Sequence, residues 1–175
     1  DRADAMSAIL VTMVALPLVM LLLLAHRPLR PLIVKALAIA PMPGLLVLPA
    51  AWQDGQWSTE FLGTWSLLLD QPAALMLVAS SVLWCIGGFA ASNWLKARSG
   101  QGGFAMWWLM TLTGSLGVFV AGDVASFYLF YAAASLPAYG LIVFMGGTAD
   151  FKAGRVTLAA ALLGEALILA AFVML

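Results

Sequence analysis

Apolar residues come in long runs along this chain, and polar residues gather in the short breaks between them. Six runs stand out, at about 7–25, 31–51, 72–92, 104–121, 124–145 and 155–175. Each is close to the roughly 20 residues that an α-helix needs to cross a bilayer. The pattern predicts an all-α integral membrane protein, a single transmembrane domain over 1–175 with a bundle of about six membrane-spanning helices. The first run carries Pro17 and has the length of a signal peptide. Its basic residues His26, Arg27 and Arg30 follow the apolar core instead of preceding it, however, and no small-residue cleavage site stands out.

The breaks add detail. Pro41-Met42-Pro43-Gly44 interrupts the second run, so a bent or unwound helix is expected there, with its kink at Pro43. Irregular backbone at membrane depth needs protein or a water-lined cavity around it. The longest polar connection runs from Trp52 to Asp70. Trp57 to Leu62 and Thr64 to Leu68 predict a small hairpin around Gly63, and Trp52, Trp57 and Trp65 suit an interfacial belt. Asp70-Gln71-Pro72 reads as a capping carboxylate with a proline in the first turn. Residues Lys96 to Gly103 form a flexible basic loop, and Gly146 to Ala153 a loop that holds Asp150 and Lys152.

The fifth run is the most informative. It opens on Gly122-Asp123, a turn followed by a second capping carboxylate. Pro137 lies in its interior, removes one backbone hydrogen bond and predicts a kink. Ala132 to Ser135 are all small, so another helix can approach closely there. Gly87-Gly88 with Ala90-Ala91 makes a similar packing face in the third run.

Composition agrees with the pattern. The chain is 64% hydrophobic and only 9% charged, where a soluble domain carries about 25% charged residues. Zero net charge suggests no nucleic-acid partner. The single Cys85 excludes an intrachain disulfide, and His26 is the only histidine. No CxxC, HExxH or glycine-rich phosphate loop occurs, so the sequence supports no metal site and no cofactor. With six spans and the N-terminus outside, Arg27, Arg30, Lys35, Lys96, Arg98, Lys152 and Arg155 fall on the cytoplasmic side and Arg2 outside, as the positive-inside rule prefers. Asp54, Glu60, Asp70 and Asp123 then face the outer side. The chain starts at Asp1 and stops at Leu175 inside an apolar run, which suggests part of a longer polypeptide.

Phe127-Tyr128-Leu129-Phe130-Tyr131 followed by Leu136-Pro137 resembles the fifth transmembrane helix of the antiporter-like subunits. These are the large membrane subunits of respiratory complex I, membrane-bound hydrogenases and multisubunit sodium/proton antiporters. The resemblance extends to Leu69-Asp70 before the third run, to Thr111 through Val118 with Asp123, and to Arg155 through Leu169. It implies two inverted five-helix repeats, of which this sequence holds part of the first. Where the family carries a buried glutamate of the ion path, this chain has Ala132. The partner lysine of that glutamate lies on a broken seventh helix, which this sequence does not reach. The chain thus looks like a divergent member, of the kind that serves as a partner in other membrane complexes, including inorganic-carbon uptake systems.

Glu165 is the sharpest candidate residue. It stands mid-way through the sixth run, where a charged carboxylate costs about 2.5–3.5 kcal/mol on insertion scales. It should therefore face protein or water, and protonation at rest would lower the cost. Two readings stay open: a proton relay or buried ion-pair partner, and an assembly hydrogen bond to a neighbouring helix. Ala161 and Leu169, one turn away on either side, offer no partner, so any partner is on another helix. Arg155 and Lys152 at the mouth of that helix either feed an ionic path or anchor it at the interface. Asp123 is an ion-path candidate or a helix cap. Ser135, Tyr128 and Tyr139 offer hydroxyls between helices or to a wet cavity; Tyr131, Tyr139 and the tryptophans suit packing and the belt. The expected function is a membrane subunit of a proton- or cation-coupled complex, sited in the bacterial inner membrane with other membrane subunits as partners. It is not expected to be an enzyme itself. The alternative is a non-conducting structural subunit.

Overall fold

The computed structural model describes residues 2–52, 55–61, 65–96 and 98–174. Its elements are α1 (Arg2–Leu23), α2 (Arg30–Lys35), β1 (Trp57–Phe61), β2 (Trp65–Leu69), α3 (Gln71–Leu95), α4 (Gln101–Val120), α5 (Val124–Ile142) and α6 (Thr148–Val173). Five helices, α1 and α3 to α6, are long and apolar enough to cross a membrane. The protein is helical and integral to the membrane by this measure. Leu10, Met13, Leu77, Leu109, Leu112 and Leu116 are fully buried at its core.

The second apolar run does not form a long α-helix. It contains the short α2, a set of turns, and then a 3-10 helix from Met42 to Trp52. Pro41, Pro43 and Pro49 explain this, because none can donate the N–H that an α-helix needs. The break expected around Pro43 is thus a change of helix type. Helix α3 supports the irregular backbone at close range. A methyl at Gly88 would stand 2.8 Å from the Ala38 nitrogen, so only glycine fits. One helical heptad earlier, the buried Ser81 side chain occupies the space in which Gly44 would carry a Cβ. Its hydroxyl has no hydrogen-bond partner among the described residues.

Aspartates start two of the long helices, as the sequence suggested. Asp70 accepts the Ala73 N–H at 2.8 Å and Asp123 accepts the Ser126 N–H at 2.7 Å. Helix α6 begins earlier than expected, at Thr148 inside the anticipated loop. Asp150 accepts the Gly147 N–H at 3.0 Å, and Gly146 turns the chain with φ +75°. That cap extends the helix beyond its apolar part. Pro137 lies within α5, which remains one continuous helix.

The connections sort to two ends. At one end, Arg30 lies across Gly102, and Phe144 packs on Phe104 and Trp94 at ring distances of 5.2 and 6.1 Å. The α1–α2, α3–α4 and α5–α6 connections therefore meet there. At the other end, β1 and β2 form an antiparallel hairpin with Trp57 opposite Leu69 and Phe61 opposite Trp65. The strands fall where the sequence placed them. The expected turn at Gly63 and the outer-face Asp54 lie outside the described residues.

Candidate functional site: a buried carboxyl between α5 and α6

Helix α5 is held on two sides. On the α4 side, a Cβ at Gly114 would overlap the α5 backbone at Ala133 and Ala134, and one at Gly117 would overlap the Phe130 ring. The small Ala133 and Ala134 thus let two backbones touch, as expected for a membrane interface. The α6 side is different. Among the described residues of α6, only Gly154 and Glu165 are buried. Gly154 sits under Tyr139 and Val143, and Phe172 meets Phe127 edge-on at 6.2 Å. Positions 154, 165 and 172 are about three and two helical turns apart, so they form one stripe.

Glu165 occupies the centre of that stripe with 6% exposure. The Ser135 hydroxyl donates a hydrogen bond to its Oε1. The partner is on another helix, as the sequence required, and Ser135 is one of the residues it singled out. The same hydroxyl is 3.4 Å from the Ala132 carbonyl one turn back. Ala132, where the resemblance would put a glutamate, therefore lies on the α5 face nearest Glu165. The Tyr131 hydroxyl lies against α6 at the next residue, 3.2 Å from the point where Gly164 would carry a Cβ. Chemically, the pair has one hydrogen-bond axis that works in both directions. As a carboxylate, Glu165 accepts a hydrogen bond from the Ser135 hydroxyl; as an acid, it can donate one in return.

The other candidates lie elsewhere. Lys152 and Arg155 line a depression at the start of α6, with Phe151 and Val156. Ten residues separate Arg155 from Glu165, about 15 Å along a helix. Asp123 sits at the start of α5, twelve residues or about 18 Å from Ser135. Its Oδ2 accepts the Ser66 N–H at 2.9 Å and the Ser66 hydroxyl at 2.7 Å. Gly122 N–H in turn donates to the Ser66 carbonyl at 2.8 Å. Donors from Ser126 and then Ser66 hold the Asp123 carboxyl well below the usual carboxylate range. Asp123 is therefore a helix cap that also fastens the hairpin to the α4–α5 turn. That second role was not legible in the sequence, since nothing marks Ser66 as its partner 57 residues away.

Tyr128 is partly buried on α5, and Tyr139 serves as packing against Gly154. No family model matches the chain. It is 28% identical over 108 residues to the protein named NADH-quinone oxidoreductase subunit M from Buchnera aphidicola subsp. Baizongia pistaciae (strain Bp), a match covering 57% of this chain and 21% of that protein. The matched part thus spans about a fifth of the length of that relative.

Proposed function

We propose that this chain is part of an antiporter-like membrane subunit of a proton- or cation-coupled complex. In this reading Glu165 takes up and releases the transported charge, and Ser135 is its first partner. The observation that carries it is the burial of one carboxyl on a helix that otherwise buries only Gly154 among its described residues. An ionisable group inside a membrane span is expensive, so its presence argues for use. The resemblance of α4 to α6 and the likeness to a quinone oxidoreductase subunit support the same class. The orientation has the N-terminus outside, with 30–52 as a further crossing in the bacterial cytoplasmic membrane. Other membrane subunits are its partners, and any catalysis belongs to them.

A second reading, a non-conducting structural subunit, draws on Ala132 and on the gaps of about 15 Å from Arg155 to Glu165 and about 18 Å from Asp123 to Ser135. Glu165→Gln in the intact complex separates the two. Loss of about tenfold or more in coupled ion transport with normal assembly supports the relay, given what a positioned acid–base group contributes. Transport at the level of the unaltered complex overturns it. Failed assembly assigns Glu165 to structure.

A further inference from the structure

The end that gathers the three basic connections carries a groove that the reading above does not use. It lies between α1 and α4, has a volume of about 450 Å³, and is lined by Leu21, Leu24, Met106 and Met110. Arg30, Gly102 and Gly103 form its mouth. The same three residues also line an adjoining depression of about 390 Å³ that contains Arg98. The two spaces are therefore continuous, one apolar and one basic.

The mouth is electrostatically one-sided. Its two arginines come from different connections and converge, and among the described residues no carboxylate lines either space. A Cβ at Gly102 would stand 3.3 Å from Arg30 Cδ, so the arginine stem lies directly on the first turn of α4. That turn adds its own positive dipole end. It has no acidic residue and no side-chain cap, with Gly100 at the N-cap. Arg30 Nε donates to the Leu24 carbonyl at 2.9 Å, and the Arg98 guanidinium rests 4.0 Å from the Trp94 ring centre. Both side chains are thus held at the mouth. Converging positive charge beside an apolar trough between two membrane-length helices matches one chemistry, a phosphate carrying acyl chains.

We propose that this groove binds an anionic phospholipid. Its phosphodiester sits between Arg30, Arg98 and the α4 N-terminus, and an acyl chain lies along Leu21, Leu24, Met106 and Met110. Basic pockets between membrane helices hold anionic head groups in this way. The site is independent of Glu165 and of the transport reading.

The test is native mass spectrometry of the full-length protein. It would be extracted from vesicles of equal phosphatidylcholine and phosphatidylglycerol. One phosphatidylglycerol per chain is expected, favoured over phosphatidylcholine. Arg30→Gln with Arg98→Gln should lower that adduct by about tenfold or more, since each surface cation strengthens anionic-lipid binding severalfold. Arg30→Lys with Arg98→Lys should retain most of it. Gly102→Asp supplies an internal carboxylate to the mouth and a favourable charge to the helix start. It should displace the lipid while helix content and thermal stability hold, which separates lipid loss from misfolding. Excess inorganic phosphate should leave the adduct in place, because the acyl groove contributes. Displacement by phosphate overturns the lipid assignment. So does equal retention of both lipids, an adduct unchanged in the glutamine and aspartate variants, or an equal loss in Lys152→Gln with Arg155→Gln.

Discussion

The two faces of α5 are built on different physics. Toward α4 the contact is backbone on backbone, made possible by Gly114 against Ala133 and Ala134. Toward α6 the contact is a thin stripe with one polar pair at its centre. The first face offers no chemistry and tolerates little change in shape. The second commits little area and holds the one buried carboxyl among the described residues. Rigidity and reactivity are thus divided between opposite sides of one helix, so substitutions on the two sides should fail in different ways.

Gly114→Val should break the comparison hardest. Its side chain has no room beside Ala133 and Ala134 without moving α5, at a cost of about 3 kcal/mol. Denaturant unfolding of the purified protein measures this, and a variant as stable as the unaltered chain would mean that the helices can part freely. Asp123→Ala comes next, at about 1–2 kcal/mol, because it removes a cap as well as the hairpin tether. The Asp123 carboxyl is depressed in the folded protein. Its contribution is therefore complete above the ordinary value of 3.8 and is lost as pH falls through that value toward the lower folded one. Limited proteolysis of the hairpin should rise below about pH 4 in the unaltered chain. Asp123→Asn should show that sensitivity at neutral pH, and an acid profile identical in both would remove the tether.

Smaller effects sharpen the α6 side. Ser135→Ala leaves a buried carboxyl without its donor and should cost about 1 kcal/mol. Glu165→Leu removes the acceptor as well as its burial cost, so stability should change by about 0.5 kcal/mol or less. Adding Ser135→Ala to Glu165→Leu should then be nearly silent in a double-mutant cycle. A double variant that loses as much as the single Ser135→Ala would mean that Ser135 acts through something other than Glu165.

Much of this was legible in the residues. Asp70 and Asp123 announced two helix starts, because a carboxylate before an apolar run has one common use. The small residues at 132–135 announced a close approach by another helix without saying which, and Ala133 and Ala134 meet α4. Glu165 announced its own burial, and its helical neighbours ruled out a partner on α6. What stayed hidden depends on distance in sequence. Ser66 reads as an ordinary strand residue until the fold brings it to Asp123, and Ser135 is one of several hydroxyls until α5 and α6 are laid together. The early start of α6 was hidden for another reason. Thr148 to Ala153 is polar enough to read as loop, and local capping by Asp150 overrode composition.

The 3-10 helix after Pro41 has a consequence in reach. A 3-10 helix rises about 2.0 Å per residue against about 1.5 Å for an α-helix. The 11 residues from Met42 to Trp52 therefore extend about 22 Å, where an α-helix of the same length would extend about 16 Å. The prolines that deny this segment an α-helix also lengthen it. Between Arg30 and the hairpin, the chain covers distance with fewer residues than its neighbours need, and a ruler set to 1.5 Å per residue would judge it too short.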